Sequence, residues 1–128
     1  MPLTLKVVVS ALIIKDDTIL LVQNKKNPKV GCYGFPGGVV KGANPLESLI
    51  KQVLDDTSCK FEGAFFTYNY REETFPVATL FFVGTVKGKP HKAGANISDV
   101  TFVAIEEARK MDLAHDHNLI LEQYVATR

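Results

Sequence analysis

Tryptophan is missing from the 128 residues and cysteine is scarce, with only Cys32 and Cys59 present. Two cysteines cannot build the disulfide framework that staples small secreted folds, so free thiols in a reducing, cytoplasmic setting are expected. Membrane-length apolar runs are missing too. The run Val7–Ile14 spans eight residues and is broken by Ser10, too short to cross a bilayer. It also lacks the cationic start and small-residue cleavage pattern of a secretory leader. Neither sign of charge is in excess, because 15 Lys and Arg oppose 14 Asp and Glu for a net +1. That balance excludes a strongly basic nucleic-acid binder and an acidic tail protein as descriptions of the whole chain. No repeat, low-complexity tract or Pro/Ser-rich linker interrupts it. Residues 1–128 therefore read as a single domain, and 46% hydrophobic content is enough for a core.

What is present is a segregation of charge. Thr18–Leu46 contains no acid but carries Lys25, Lys26, Lys29 and Lys41. Thr74–Ser98 is also acid-free and carries Lys87, Lys89 and Lys92. Twelve of the 14 acids fall in two blocks, Glu47–Glu73 and Asp99–Glu122. Two readings follow: solvated loops, or a site where acids hold a cation and lysines meet an anion.

The pattern along the chain predicts an opening hairpin from Leu5–Ile14 and Ile19–Gln23 about Asp16-Asp17. Asn24–Gly38, rich in Gly and Pro, reads as a loop. Pro45–Thr57 is predicted helical, with Leu46, Leu49, Ile50, Val53 and Leu54 as its buried stripe and Asn44 as N-cap. Strands are expected at Phe61–Tyr70, Val77–Val86 and Val100–Ala104. A helical turn is expected at Glu106–Lys110 and a closing helix at His115–Ala126. This mixture implies an α/β (α+β) fold with a mixed sheet covered by helices.

The helix carries the informative polar residues. Gln52, Asp55 and Asp56 are expected on one side of its exposed half. Two carboxylates at a helix C-terminus oppose the dipole, and hard cations such as Mg²⁺ take oxygen ligands of this kind. The competing reading is a solvated helix end beside Lys51 and Lys60. Lys25, Lys26, Lys29 and Lys41 are either phosphate contacts or solvated. Tyr33, Phe35, Tyr68 and Tyr70 either stack on a base or pack on a strand face. His115-Asp116-His117 looks like a metal tract, but a helix start with Asp in its first turn explains it more simply. Lys87–Lys92 reads as an exposed loop first, and as an RNA or phosphate contact second.

The segment Gly31-Cys-Tyr-Gly-Phe-Pro-Gly-Gly38 followed by Lys51-Gln-Val-Leu-Asp-Asp-Thr-Ser-Cys59 resembles the signature of the Nudix hydrolase superfamily. That signature is G-x5-E-x7-R-E-U-x-E-E-x-G-U, with U a bulky aliphatic residue, usually after an aromatic and Pro-Gly-Gly. Tyr33, Phe35 and Pro36-Gly37-Gly38 match the lead-in. Ile19-Leu-Leu-Val22 and Ser98–Glu107 are similar to the family's flanking strands, so the resemblance covers nearly the whole chain. It implies a Nudix-like α/β/α sandwich around a mixed β-sheet. It also implies hydrolysis, by Mg²⁺ (or Mn²⁺) and water, of a nucleoside diphosphate linked to another moiety.

The departures are as informative. Lys51 stands for the motif Arg, Gln52 for a Glu, Asp55 and Asp56 for the Glu pair, and Ser58 for the Gly. Ala43 falls where another Glu belongs, and the chain between Gly38 and the helix is one residue short. The resemblance implies Asp55, Asp56 and the Gly37 carbonyl as metal ligands, with weakened affinity. It implies Gln52, Asp55 and Asp56 as the catalytic set, Gln52 orienting water without serving as base. Lys25, Lys41, Tyr33, Phe35, Gly37 and Gly38 become the substrate-binding set. Glu72, Glu73, Asp99 and Glu106 are the sources of a substitute base. The alternative is a catalytically inactive Nudix-like nucleotide-binding or regulatory module. The expected partner is a nucleotide or nucleoside diphosphate derivative. Nucleic acid is not specifically indicated, no membrane is implied, and the oligomeric state stays open.

Overall fold

The computed structural model describes residues 5–25, 32–72, 74–92 and 94–128. Lys26, Lys29, Gly31 and Glu73 lie outside the described residues. Ten elements follow in order: β1 (Lys6–Lys15), β2 (Thr18–Asn24), β3 (Tyr33–Gly34), β4 (Gly37–Val39), α1 (Pro45–Thr57), β5 (Lys60–Glu72), β6 (Pro76–Lys87), β7 (Ile97–Ala104), α2 (Ile105–Ala108) and α3 (His117–Ala126). The expected loop 24–38 thus holds a short strand and meets the start of another. The closing helix begins two residues later than its pattern suggested.

β1 runs parallel to β6 from Lys6↔Val77 to Ile13↔Gly84, and β6 pairs antiparallel with β5. At its far end β1 turns into β2 through Asp16-Asp17, and β2 carries β3 and β7 on its antiparallel edges. The sheet is therefore mixed, as expected. Apolar residues on successive positions of β1 face opposite sides. Val9, Ala11 and Ile13 pack with Leu20, Leu49, Val53 and Phe61 under α1. Leu12 packs with Ile19, Leu21, Phe81, Ile120 and Leu121 under α2 and α3. Helices cover both faces, which makes the predicted α/β/α sandwich. Cys32 and Cys59 are free thiols. Among the described residues no helix is long and apolar enough to cross a membrane.

Helix α1 keeps its predicted bounds. The Asn44 Oδ1 accepts from the Glu47 N–H at 3.1 Å, and Pro45 fills the first turn. Its buried face, however, is rotated from the apolar stripe. Leu49 and Val53 are fully buried, but Leu54 is 48% exposed and Asp56 only 7%. The reason is helical geometry: the row through Leu49 and Val53 continues to Asp56 and Thr57 at i+3 and i+4, not to Leu54. Thr57 tolerates that position by donating its hydroxyl to the Val53 carbonyl at 2.8 Å.

Asp116 also departs from its expected role. It precedes α3 but its side chain caps nothing. Instead it accepts from Asn69 Nδ2 at 2.5 Å and Arg71 Nη1 at 3.0 Å, tying the α3 entrance to β5.

α1 ends on Ser58 in the left-handed conformation, φ 63° and ψ 17°, where its N–H closes the last turn on the Leu54 carbonyl. A residue with Cβ pays a conformational cost there. Ser58→Gly should therefore stabilise the protein by about 0.5–1 kcal/mol, roughly 2–5 °C in Tm. Thermal unfolding followed by circular dichroism checks this; an unchanged or lower Tm contradicts it.

Candidate functional site

Strand register builds a cleft of about 330 Å³ on the α3 side of the sheet. Across β1, β6 and β5, one row holds Lys6, Val77 and Arg71, and the row two residues along holds Val8, Thr79 and Asn69. In β1 and β6 the next such pair is Ser10 and Phe81. Pleating sends these alternate residues to one face, and six of them, Lys6, Val8, Val77, Thr79, Ser10 and Phe81, line the cleft with Arg71. Gly34, Phe35, Gly37 and Gly38 border it from the loop, and His115 and His117 from the α3 entrance.

Gly37 and Gly38 sit where side chains have no room. A Cβ on Gly37 would stand 2.1 Å from the Val9 carbonyl oxygen, and one on Gly38 would stand 2.9 Å from Gln52 Oε1. Gly38 thus joins the cleft edge to α1. From there Gln52 Nε2 donates to both oxygens of Asp56 at 3.2 Å. Burial pushes the Asp56 carboxyl up from its ordinary value; the Gln52 bond opposes this and the Asp55 charge adds to it. Asp55 is exposed and opens, with Gln52, Lys41, Glu47 and Lys51, onto a second depression of about 400 Å³.

The expected shared exposed face is therefore replaced by a different arrangement. Gln52 stands between a solvent-facing Asp55 and a buried Asp56. Asp56 is buried because it continues the Leu49–Val53 row. Lys41 is exposed at the depression, and its backbone N–H donates to Ser48 Oγ at 2.9 Å. Lys25 is exposed past the end of β2, held by a backbone bond to the Asn96 carbonyl at 2.8 Å. The Tyr33 hydroxyl donates to Asp99 Oδ2 at 2.5 Å, outside the cleft lining. Phe35 borders the cleft but is packed, stacked on His117 at 4.3 Å and edge-on to Phe81 at 6.3 Å. Tyr68 and Tyr70 are exposed on β5.

The acids considered as substitute bases have other partners. Asp99 takes the Tyr33 proton donor, Glu72 accepts from the Tyr70 hydroxyl at 3.1 Å, and Glu106 pairs with Arg109 at 3.1 Å. None of these three lines the cleft or the depression.

Several cleft residues escaped the sequence reading, among them Lys6, Arg71 and His117. Arg71 lies on the polar side of β5, and the alternation Asn69, Arg71 between exposed tyrosines was the available signal. His117 was explained away as part of a helix start. It is buried, and its Nδ1 accepts from the Phe35 N–H at 3.0 Å. Burial, reinforced by His115 and Arg71, holds its pKa down to about 3.

Metal chemistry has a restricted donor set here. Among the described residues no group of three or more His, Cys, Asp or Glu converges. Asp55, Asp56 and the Gln52 amide oxygen are all hard oxygen donors, and Mg²⁺ takes few protein ligands while keeping several waters. By chemistry these donor types suit a largely hydrated cation.

The raised Asp56 pKa has a consequence for stability. The folded state holds the proton to higher pH than the unfolded chain, so stability falls as pH rises through that window. Asp56→Asn should raise stability at pH 7 by about 1 kcal/mol, roughly 3 °C in Tm. The gain should vanish below the unfolded carboxyl value near 3.8. Thermal melts of both proteins from pH 3 to 8 check this, and a destabilised variant at pH 7 contradicts it.

Comparison with known proteins places this geometry. The sequence model for the NUDIX domain matches residues 4–124. An ADP-ribose pyrophosphatase of Methanocaldococcus jannaschii is 31% identical over 124 residues, covering 93% of this chain and 72% of that protein. The MutT NUDIX hydrolase of Burkholderia pseudomallei superposes with a TM-score of 0.82 at 21% identity, covering 94% of this chain and 98% of that one. The NUDIX domain of Shewanella oneidensis NrtR, crystallised with ADP ribose, gives 0.79 at 19% identity, covering 99% of this chain and 89% of that one. With the profile match, the mixed sheet between helices and the Gly37-Gly38 loop seated against α1, the chain belongs to the Nudix family.

Proposed function

We propose that residues 1–128 act as a single-domain Nudix pyrophosphohydrolase that slowly cleaves a nucleoside diphosphate linked to another moiety, with ADP-ribose the first substrate to test. The observation that carries this reading is the junction at Gly38. It sets Gln52 and its acidic neighbours directly behind the edge of a cleft lined by Lys6 and Arg71. An anionic ligand in that cleft would meet cations on one side and the acid helix on the other. The free thiols and the absence of a membrane-spanning helix among the described residues are compatible with a cytoplasmic enzyme.

In this reading Asp55, Asp56 and the Gly37 carbonyl would hold Mg²⁺ or Mn²⁺, whose charge neutralises phosphate oxygens and acidifies water. Gln52 orients water through its amide and cannot take its proton. Lys25, past the end of β2, and Lys41, at the second depression, add positive potential around the site, while Tyr33 and Phe35 fix the loop that carries Gly37 and Gly38. Asp56 would share its oxygens between the Gln52 amide and the cation, which lowers affinity further. The expected rate is low for both reasons.

A second reading rests on that same Gln52–Asp56 bond. A carboxylate satisfied by a neutral amide needs no cation, as in a nucleotide-binding module without chemistry.

Incubation with ADP-ribose and a panel of nucleoside diphosphate derivatives, with Mg²⁺ or Mn²⁺, separates the two. The enzyme reading expects slow release of AMP from ADP-ribose and a fall of about 10–100-fold in Asp55→Asn and Asp56→Asn. Nucleotide binding with no turnover of any panel member supports the module instead. An independent readout comes from Gln52→Glu, which sets a second carboxylate against Asp56. Metal-free Tm should drop by about 3 °C and recover in millimolar Mg²⁺. A Tm unaffected by Mg²⁺ in that variant contradicts a cation site at these residues.

A further inference from the structure

His117 lines the cleft at 6% exposure, stacked on Phe35 at 4.3 Å and edge-on to Phe81 at 6.0 Å between ring centres. Its Nδ1 accepts from the Phe35 N–H. In a neutral imidazole the proton then resides on Nε2, which becomes a donor. No described group accepts from Nε2. Yet among the described residues no buried side-chain nitrogen or oxygen is left without a partner. Nε2 is therefore not sealed in the core; it reaches open space, and the open space that His117 lines is the cleft.

We propose that His117 is a specificity-determining residue whose Nε2–H donates to an uncharged acceptor, a ring nitrogen or carbonyl, on the nucleobase of the bound nucleotide. The choice of a base over a phosphate follows from charge. The His117 ring is neutral, its neighbours Phe35 and Phe81 are apolar, and the nearby Arg71 is offset by Asp116 at 3.0 Å. A phosphate gains little from the neutral His117 ring itself and loses its hydration there; its cationic partners in the cleft are Lys6 and Arg71. A flat heterocycle with polar edges loses less and satisfies a donor that otherwise meets only water. The Phe35 bond fixes the ring before any ligand arrives, so the donor is preorganised. Gly34 belongs to the same device, because a Cβ there would stand 2.8 Å from His117 Nδ1.

This inference rests on the cleft binding nucleotides, and the test keeps the two apart. Calorimetry compares AMP with ribose 5-phosphate, which lacks the base, on the unaltered protein and on His117→Asn. Asparagine retains an acceptor near Nδ1 and removes the Nε2 donor. The preference for AMP over ribose 5-phosphate should fall about tenfold in the variant. Loss of packing alone lowers both affinities and leaves their ratio unchanged. Should the variant not fold, the ¹⁵N resonance of His117 Nε2 in the unaltered protein decides. It should shift on adding AMP and stay in place with ribose 5-phosphate. An unchanged ratio, or an Nε2 signal blind to AMP, overturns the role of His117 while nucleotide binding stands. No binding of either ligand by the unaltered protein overturns the cleft reading and this inference together.

Discussion

A methyl group at position 37 would stand 2.1 Å from the backbone oxygen of Val9, and the rest of the site depends on that absence of room. Because residue 37 is glycine, the loop lies flat on β1 as a paired strand, Gly37 against Ser10 and Gly38 against Val9. The chain then reaches Gln52 with Gly38, leaves for α1, and leaves the opposite edge of β1 to pair with β6. The cleft, its loop border and the acid helix are three outcomes of one backbone contact. A side chain at 37 would have to push the loop off β1 and separate the cleft from Asp55 and Asp56.

The second governing feature is a buried carboxylate. Asp56 is placed inside by the helix row it shares with Leu49 and Val53, and the cost of burial is offset in part by two bonds from one amide. Where the family signature has glutamate, the Gln52 amide satisfies Asp56 without any cation. Gln52 carries no charge and at the same time supplies a hydrogen-bond partner for the buried acid. In the proposed metal site folding and metal affinity would pull in opposite directions at this pair.

Much of the fold was legible in the chain. The Asn44-Pro45 start of α1, the Asp16-Asp17 hairpin and the paired strands β5 and β6 follow from local turn and capping chemistry and from alternation. The Gly-rich segment matched a family loop, and that match carried the sandwich. What was not legible depended on contacts between distant segments. Leu54 looked buried because apolar residues are assigned to the core by type, whereas the sheet selected the Leu49–Val53–Asp56 row. Asp116 looked like a helix-start acid, but its partners Asn69 and Arg71 arrive from 45 or more residues away. His117 was unremarkable in sequence because its significance lies in the Phe35 N–H that fixes its tautomer, 82 positions distant.

The coupling of cleft and acid helix through Gly38 is tested most directly by Mn²⁺ titration, with ADP-ribose present, followed by paramagnetic broadening of backbone NMR signals. Broadening centred on Asp55, Asp56 and the Gly37–Gly38 strand, and strengthened by ADP-ribose, is the expected result. ADP-ribose bound in the cleft with those signals unbroadened, or broadening centred elsewhere, would contradict it.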